Sequence, residues 1–346
     1  MAAFPKMYFD KFKPMSKPTE NAFSLDKLQI SSVDELSNVY TTLVQELNNK
    51  RVTVNEICQR LIAESDEIVA DTSVIDHVLY TLLIPNTLSD ILQKWHEQQH
   101  LTDDESTLFH NVSLLLLKLI SYSTDDSKKI NKISTWLVNK PFIESIAVNI
   151  KDIAEKGAHF SDRNLEHLDT ILEALTDFQH EQKPIMNNPI MLQLLESIVD
   201  CLSSTYYSDT FLKLRPDVKQ FNESEQFLLI TCAHYFNKYS GSRRQELIDK
   251  LLSKKLQIYL QIYDKFLPSI AQWQNSLILA FYYITNFLAF ASTKRENVDA
   301  YTEKIVDNVI LILSAPILIQ KISSISINPE TMLLLAAIQI IRALTA

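Results

Sequence analysis

The stretch TDDESTLFHNVSLLLLKLI, residues 102–120, decides the fold. Thr102 is followed three residues later by Glu105, a capping box in which the two side chains satisfy backbone donors left orphaned at a helix start. Apolar residues then recur at three and four positions, the period of an amphipathic helix. The same signature repeats outward from here. Ser32 with Glu35, Thr53 with Glu56, Asn222 with Glu225, Ser242 with Gln245 and Thr293 with Glu296 carry the same spacing. Pro141, Pro189 and Pro329 sit where a first helical turn tolerates a missing N–H.

Glycine scarcity narrows the field further. The chain of 346 residues contains only Gly157 and Gly241, where average usage near 7% predicts about 24. A dinucleotide-binding turn, a phosphate-cradling loop or a kinase-type lid needs several glycines close together, so none can be built. The tight turns of sandwiches and barrels are disfavoured as well. The expected fold class is all-α.

Long apolar helices preceded by a polar cap begin near Thr102, Ser161, Asn222, Gln272 and Asn328, separated by 59, 61, 50 and 56 residues. Before several of them lies a shorter helix opened by proline: KPFIESIAVNI at 140, NPIMLQLLESIV at 188 and APILIQKISSI at 315. A third helix precedes that one, as in SKKINKISTWLV at 127 and SRRQELIDKLLSKKLQIYL at 242. Such a unit cannot bury its own apolar faces, so neighbours must stack. The order resembles armadillo and HEAT-like α-solenoids, with the three-helix unit closer to armadillo. The resemblance implies a right-handed helical solenoid over 26–346, of about five irregular units and about fifteen helices, offering one long groove to a partner. The units depart from armadillo repeats in length and in lacking a glycine between the first two helices.

Residues 1–25 hold Pro5, Pro14 and Pro18 among Lys6, Lys11, Lys13 and Lys17, with Phe4, Tyr8, Phe9 and Phe12 interleaved. This composition predicts a flexible basic and aromatic arm. The net charge of −9 argues against nucleic acid and favours a basic protein or peptide as partner. Cys58, Cys201 and Cys232 are odd in number, far apart and set in apolar helical patterns. Buried free thiols and a reducing compartment, cytoplasm or nucleus, follow. No targeting segment is legible at the N-terminus.

WHEQQH at 95–100 places His96, Glu97 and His100 in a formal H-E-x-x-H. On one helix face two histidines four apart can hold zinc while the glutamate activates water, the chemistry of zinc peptidases. The further glycine and histidine of the extended motif are absent downstream. These residues follow an apolar helix and precede the next cap, so they read as a polar surface connection. Cys232 and His234 point to different helix faces and cannot form a nucleophile and base. His110 and His234 read as core or groove histidines. No metal or other cofactor is expected.

No charged residue occurs from Phe266 to Thr293, yet Gln272, Gln274, Asn275, Thr285 and Asn286 interrupt the stretch. About 16 predominantly apolar residues remain, short of the ~20 a spanning helix needs, and buried helices are expected instead of a membrane span. The last helix is apolar nearly all round and predicts either cover by another unit or self-association through it. Arg243, Arg244, Lys250, Lys254 and Lys255 are interrupted by Glu246 and Asp249, as on a solvated outer face.

Asp162, Glu166, Asp169, Glu173 and Asp177 fall at spacings of four, three, four and four, on one helical face. Glu173 and Asp177 approach the negative end of the helix dipole, where anions are disfavoured. The stripe is therefore the candidate surface for a lysine- or arginine-rich segment. Three function classes stand: a noncatalytic interaction scaffold, favoured here; a zinc-dependent hydrolase using His96, Glu97 and His100; and a membrane-associated helical protein.

Overall fold

The structure is a computed structural model that describes residues 53–63, 84–98, 100–121, 140–157, 162–178, 189–239, 256–294, 298–320 and 328–345, together with 42, 45–46, 76, 78, 246–247 and 249. The arm at 1–25, Gly241, and the capping pairs at Ser32 and Ser242 lie outside the described residues, as do the helix expected at 127 and the basic residues of 243–255. Among the described residues the chain is all-helical, with thirteen helices and no strand.

The helices are α1 (Val54–Ala63), α2 (Ile84–Gln98), α3 (Asp103–Ser121), α4 (Lys140–Lys156), α5 (Asp162–Phe178), α6 (Pro189–Leu202) and α7 (Thr205–Lys213). Next comes α8, a rod made of Glu223–Gln226, a π-helical turn Phe227–Thr231 and Cys232–Tyr239. It is followed by α9 (Leu256–Phe266), a 3-10 turn Leu267–Gln272, α10 (Asn275–Ala291), α11 (Thr302–Leu313), α12 (Pro316–Gln320) and α13 (Pro329–Thr345).

Local chemistry sets the starts. At Thr53 and Thr102 the hydroxyl accepts from the backbone N–H three residues on, while Glu56 and Glu105 accept from the cap N–H at 2.8 and 2.9 Å. Asn222 and Glu225 form the same reciprocal pair, and Asn328 Oδ1 accepts from Thr331 N at 2.8 Å. Each such cap contributes about 1 kcal/mol. Gly157 ends α4 at φ +63°, and a Cβ there would sit 3.3 Å from the Tyr206 ring, so both conformation and space favour glycine.

One expected start moves. Gln272 does not open the long helix. Trp273 is extended and buried, its indole N–H donates to Phe266 O at 3.1 Å, and its ring stacks on Phe281 at 4.2 Å. Phe281 also meets Phe211, Tyr263 and Phe266 at centroid distances of 5.4, 5.3 and 5.7 Å. Anchoring the indole in that cluster outweighs three more residues of helix, and α10 begins at Asn275. The uncharged 266–293 stretch is thus broken into three pieces. No helix among the described residues is long and apolar enough to cross a membrane.

Contacts between helices follow two sequences. In one row α1 packs on α3, α3 on α5, α5 on α8, α8 on α10 and α10 on α13. In the other, α2 packs on α4, α4 on α6, α7 on α9 and α9 on α11. The rows meet where α2 touches α3, α6 touches α8 and α11 touches α13. Several side chains tie helices together across 56–58 residues, whereas the bonds between α8 and α10 span 45–49 and the one between α9 and α11 spans 40. Asn111 donates to Asn55 and Lys118 to Ile62 O, each pair 56 residues apart. Asn149 donates to Leu92 O and Tyr259 to Leu202 O across 57, and Ser106 to Asn164 across 58. Lys118 is buried, and its ammonium meets a carbonyl of the last turn of α1, the negative end of that helix.

Candidate polar strip across the first row

The acidic stripe on α5 is not a uniformly solvated face. Asp169 is only 7% exposed, whereas Glu166 and Glu173 are half-buried. Asp162 and Asp177 lie on the same helix, but their side chains fall outside the described set. The reason is the packing of α5 between α3 and α8. Among its described side chains the half-buried ones are Glu166, Thr170 and Glu173, separated by four and three positions.

Asp169 faces the π-helical turn of α8. Its Oδ1 and the Thr231 hydroxyl oxygen are enclosed, and neither makes a hydrogen bond of ordinary geometry. Burial pushes the Asp169 carboxyl up to about 7; the neighbouring Thr231 hydroxyl counteracts this in part and the charge of Glu166 adds to it. An enclosed carboxyl without a full set of partners is costly as an anion, so the proton is retained to neutral pH. The π turn that presents Thr231 has no signal in the apolar run FLLIT.

From α5 the polar contacts continue along the row. Toward α3, the His110 and His167 rings lie 4.9 Å apart. Toward α10, Glu173 raises the already buried Tyr283 phenol further, and Tyr283 OH lies 2.8 Å from His234 Nδ1 of α8. Burial and then Lys238 lower His234 to about 4, so its ring is neutral at physiological pH. Asn237 donates to Tyr282 OH at 3.3 Å and accepts from Asn286. His110, Glu166, Thr170, Glu173, His234, Asn237 and Tyr282 are half-buried, and they form a polar strip spanning α3, α5, α8 and α10.

The H-E-x-x-H residues part company. His96 and Glu97 belong to the last turn of α2, not to a connection, while His100 lies beyond the helix end and cannot share its face. His96 Nδ1 is 2.5 Å from Asp152 Oδ2 of α4, and Lys156 reaches the other carboxylate oxygen at 3.2 Å. Glu97 accepts from Gln93, and His100 Nδ1 is 2.7 Å from Gln98 O. Among the described residues no group of three or more His, Cys, Asp and Glu side chains is placed to hold a metal ion. Cys58, Cys201 and Cys232 are buried free thiols; burial raises Cys58 to about 12 and Cys232 well above its usual value.

No family model, curated protein or solved structure matches the chain. An open depression of about 430 Å³ lies at the α7–α8 connection among Lys213, Arg215, Asp217, Lys219 and Glu225, where Arg215 is already engaged in a two-pronged pair with Asp217 at 3.1 and 3.0 Å.

Proposed function

We propose that the chain is a noncatalytic interaction scaffold: an armadillo-like right-handed solenoid whose first-row helices line a groove for a lysine- or arginine-rich protein segment. The observation that carries the reading is the two-row order of helix contacts, in which each helix packs on its row neighbours, as expected of stacked units. Bonds linking residues 56–58 apart join α1 to α3, α2 to α4, α3 to α5 and α6 to α9. The polar strip gives the groove its chemistry. Glu166 and Glu173 present carboxylates, and between them Asp169 holds an unpartnered oxygen that a cationic side chain nearby would help ionise. A zinc hydrolase has less support, because His96 is held by Asp152 and His100 lies off the helix face.

A fluorescent oligolysine peptide tests this. Binding is expected to weaken steeply with salt and to be tighter at pH 8 than at pH 6, because binding displaces the Asp169 proton. Glu166→Gln with Glu173→Gln should remove at least about tenfold of the low-salt affinity with the helical signal unchanged. Equal binding of an oligoglutamate peptide, or an unaffected double variant, contradicts the proposal.

A further inference from the structure

The large apolar side chains that stand about half exposed among the described residues are Ile310, Leu311, Ile319, Leu335 and Ile338, at 53, 51, 48, 53 and 51%. All lie on α11, α12 and α13, three helices that touch one another. On α13 the buried residues Leu333, Ala337 and Ile340 face the stack, while Leu335, Ile338, Arg342 and Thr345 occupy the opposite side. On α11 Ile305, Val309 and Ile312 face inward, and Glu303, Asp307 and Ile310 face outward. Large apolar side chains left half-exposed on adjoining helices and edged by polar residues mark a protein interaction site.

We propose that this face closes against the same face of a second copy of the chain. The charges around it are self-complementary. Glu303 and Asp307 are exposed on α11, Arg342 is exposed on α13, and none of the three forms an ion pair within the described chain. A two-fold contact sets α11 of each copy against α13 of the other, so each Arg342 meets the acidic pair of its counterpart and every favourable pairing occurs twice. Five half-exposed apolar side chains per copy are fewer than an obligate interface buries, which suits a reversible dimer. The inference is independent of the basic-segment reading, because the two surfaces share no residue.

Sedimentation velocity of the full chain from nanomolar to high micromolar concentration reads the association directly. A monomer–dimer equilibrium is expected. Leu335→Arg should raise the dissociation constant at least about 100-fold, since it acts on both halves of the contact, and Ile338→Ser should act in the same direction with less risk to folding. Arg342→Glu should weaken the dimer about tenfold, and combining it with Glu303→Arg and Asp307→Arg should restore most of the loss. Circular dichroism of each variant should retain the helical signal. A chain that stays monomeric throughout, growth beyond the dimer, a dimer indifferent to Leu335→Arg, or a triple charge exchange no tighter than Arg342→Glu alone would each overturn the proposal.

Discussion

Helices α5 and α13 are both 17 residues long and both belong to the first row, yet they turn opposite chemistry outward. Among the described side chains, α5 leaves Glu166, Thr170 and Glu173 half-buried, whereas α13 exposes Leu335, Ile338, Gln339, Arg342 and Thr345. The difference follows from neighbours. α5 is covered on one side by α3 and on the other by α8, and even a carboxylate, Asp169, is drawn under. α13 packs on α10 and α11, and its outward side is bare. In a stack, helical periodicity sorts residues onto faces, and the adjoining unit decides which faces are buried.

Paired substitutions offer the largest test of that contrast. Leu172 of α5 is fully buried and Leu335 of α13 is 53% exposed. Leu172→Asp removes a packed side chain and buries a charge without a partner, a loss of at least about 4 kcal/mol that should unfold the chain or lower its melting temperature drastically. Leu335→Asp should change monomer stability by no more than about 0.5 kcal/mol. Similar melting temperatures for the two variants, measured at concentrations where the chain is monomeric, would break the comparison.

The pH dependence of stability sharpens it at Asp169. Its folded value near 7 lies above the unfolded carboxyl range, so the native state binds the proton more tightly, and stability falls as pH rises from about 4 to about 7. The loss is on the order of 2–4 kcal/mol. His234 works in the opposite direction: its value is lowered to about 4, so its contribution is present above about 6.5 and is lost as pH falls toward 4. The two effects oppose each other over the same range and largely cancel in the wild type, so urea melts of Asp169→Asn should show the acid-side loss unmasked. His234→Gln should show the decline alone. A wild-type profile that does not change on Asp169→Asn contradicts the assigned burial.

A smaller effect is expected at the junction of α2 and α4. His96→Ala leaves buried Asp152 with Lys156 but without its bond across the two helices, at a cost of about 1–2 kcal/mol in thermal or urea melts. A change within error would place His96 among dispensable surface residues, as expected of a polar connection.

Local features were legible in the sequence because their chemistry is local. Thr53, Thr102 and Asn222 with their glutamates, and the prolines opening α6 and α13, mark helix starts where the structure has them. The apolar outer side of α13 was legible as well, from a pattern with too little polar surface to cover it. What escaped depends on residues far apart in the chain. The burial of Asp169 depends on a π turn some 60 positions later, and His96 finds Asp152 across 56 residues. Trp273 leaves the helix to stack on Phe281, which no propensity reports. The carboxylate spacing on α5 placed Glu166, Asp169 and Glu173 on one side of the helix but carried no information about how much of it α8 would cover.

Small-angle X-ray scattering of the full chain, at a concentration low enough to hold it monomeric or with Leu335→Arg in place, tests the stacked-unit account most directly. A compact domain of 346 residues has a radius of gyration of about 20 Å. Two rows of helices joined unit to unit predict a clearly larger value and an asymmetric distance distribution with a long tail. A radius at the compact value with a symmetric distribution would contradict it.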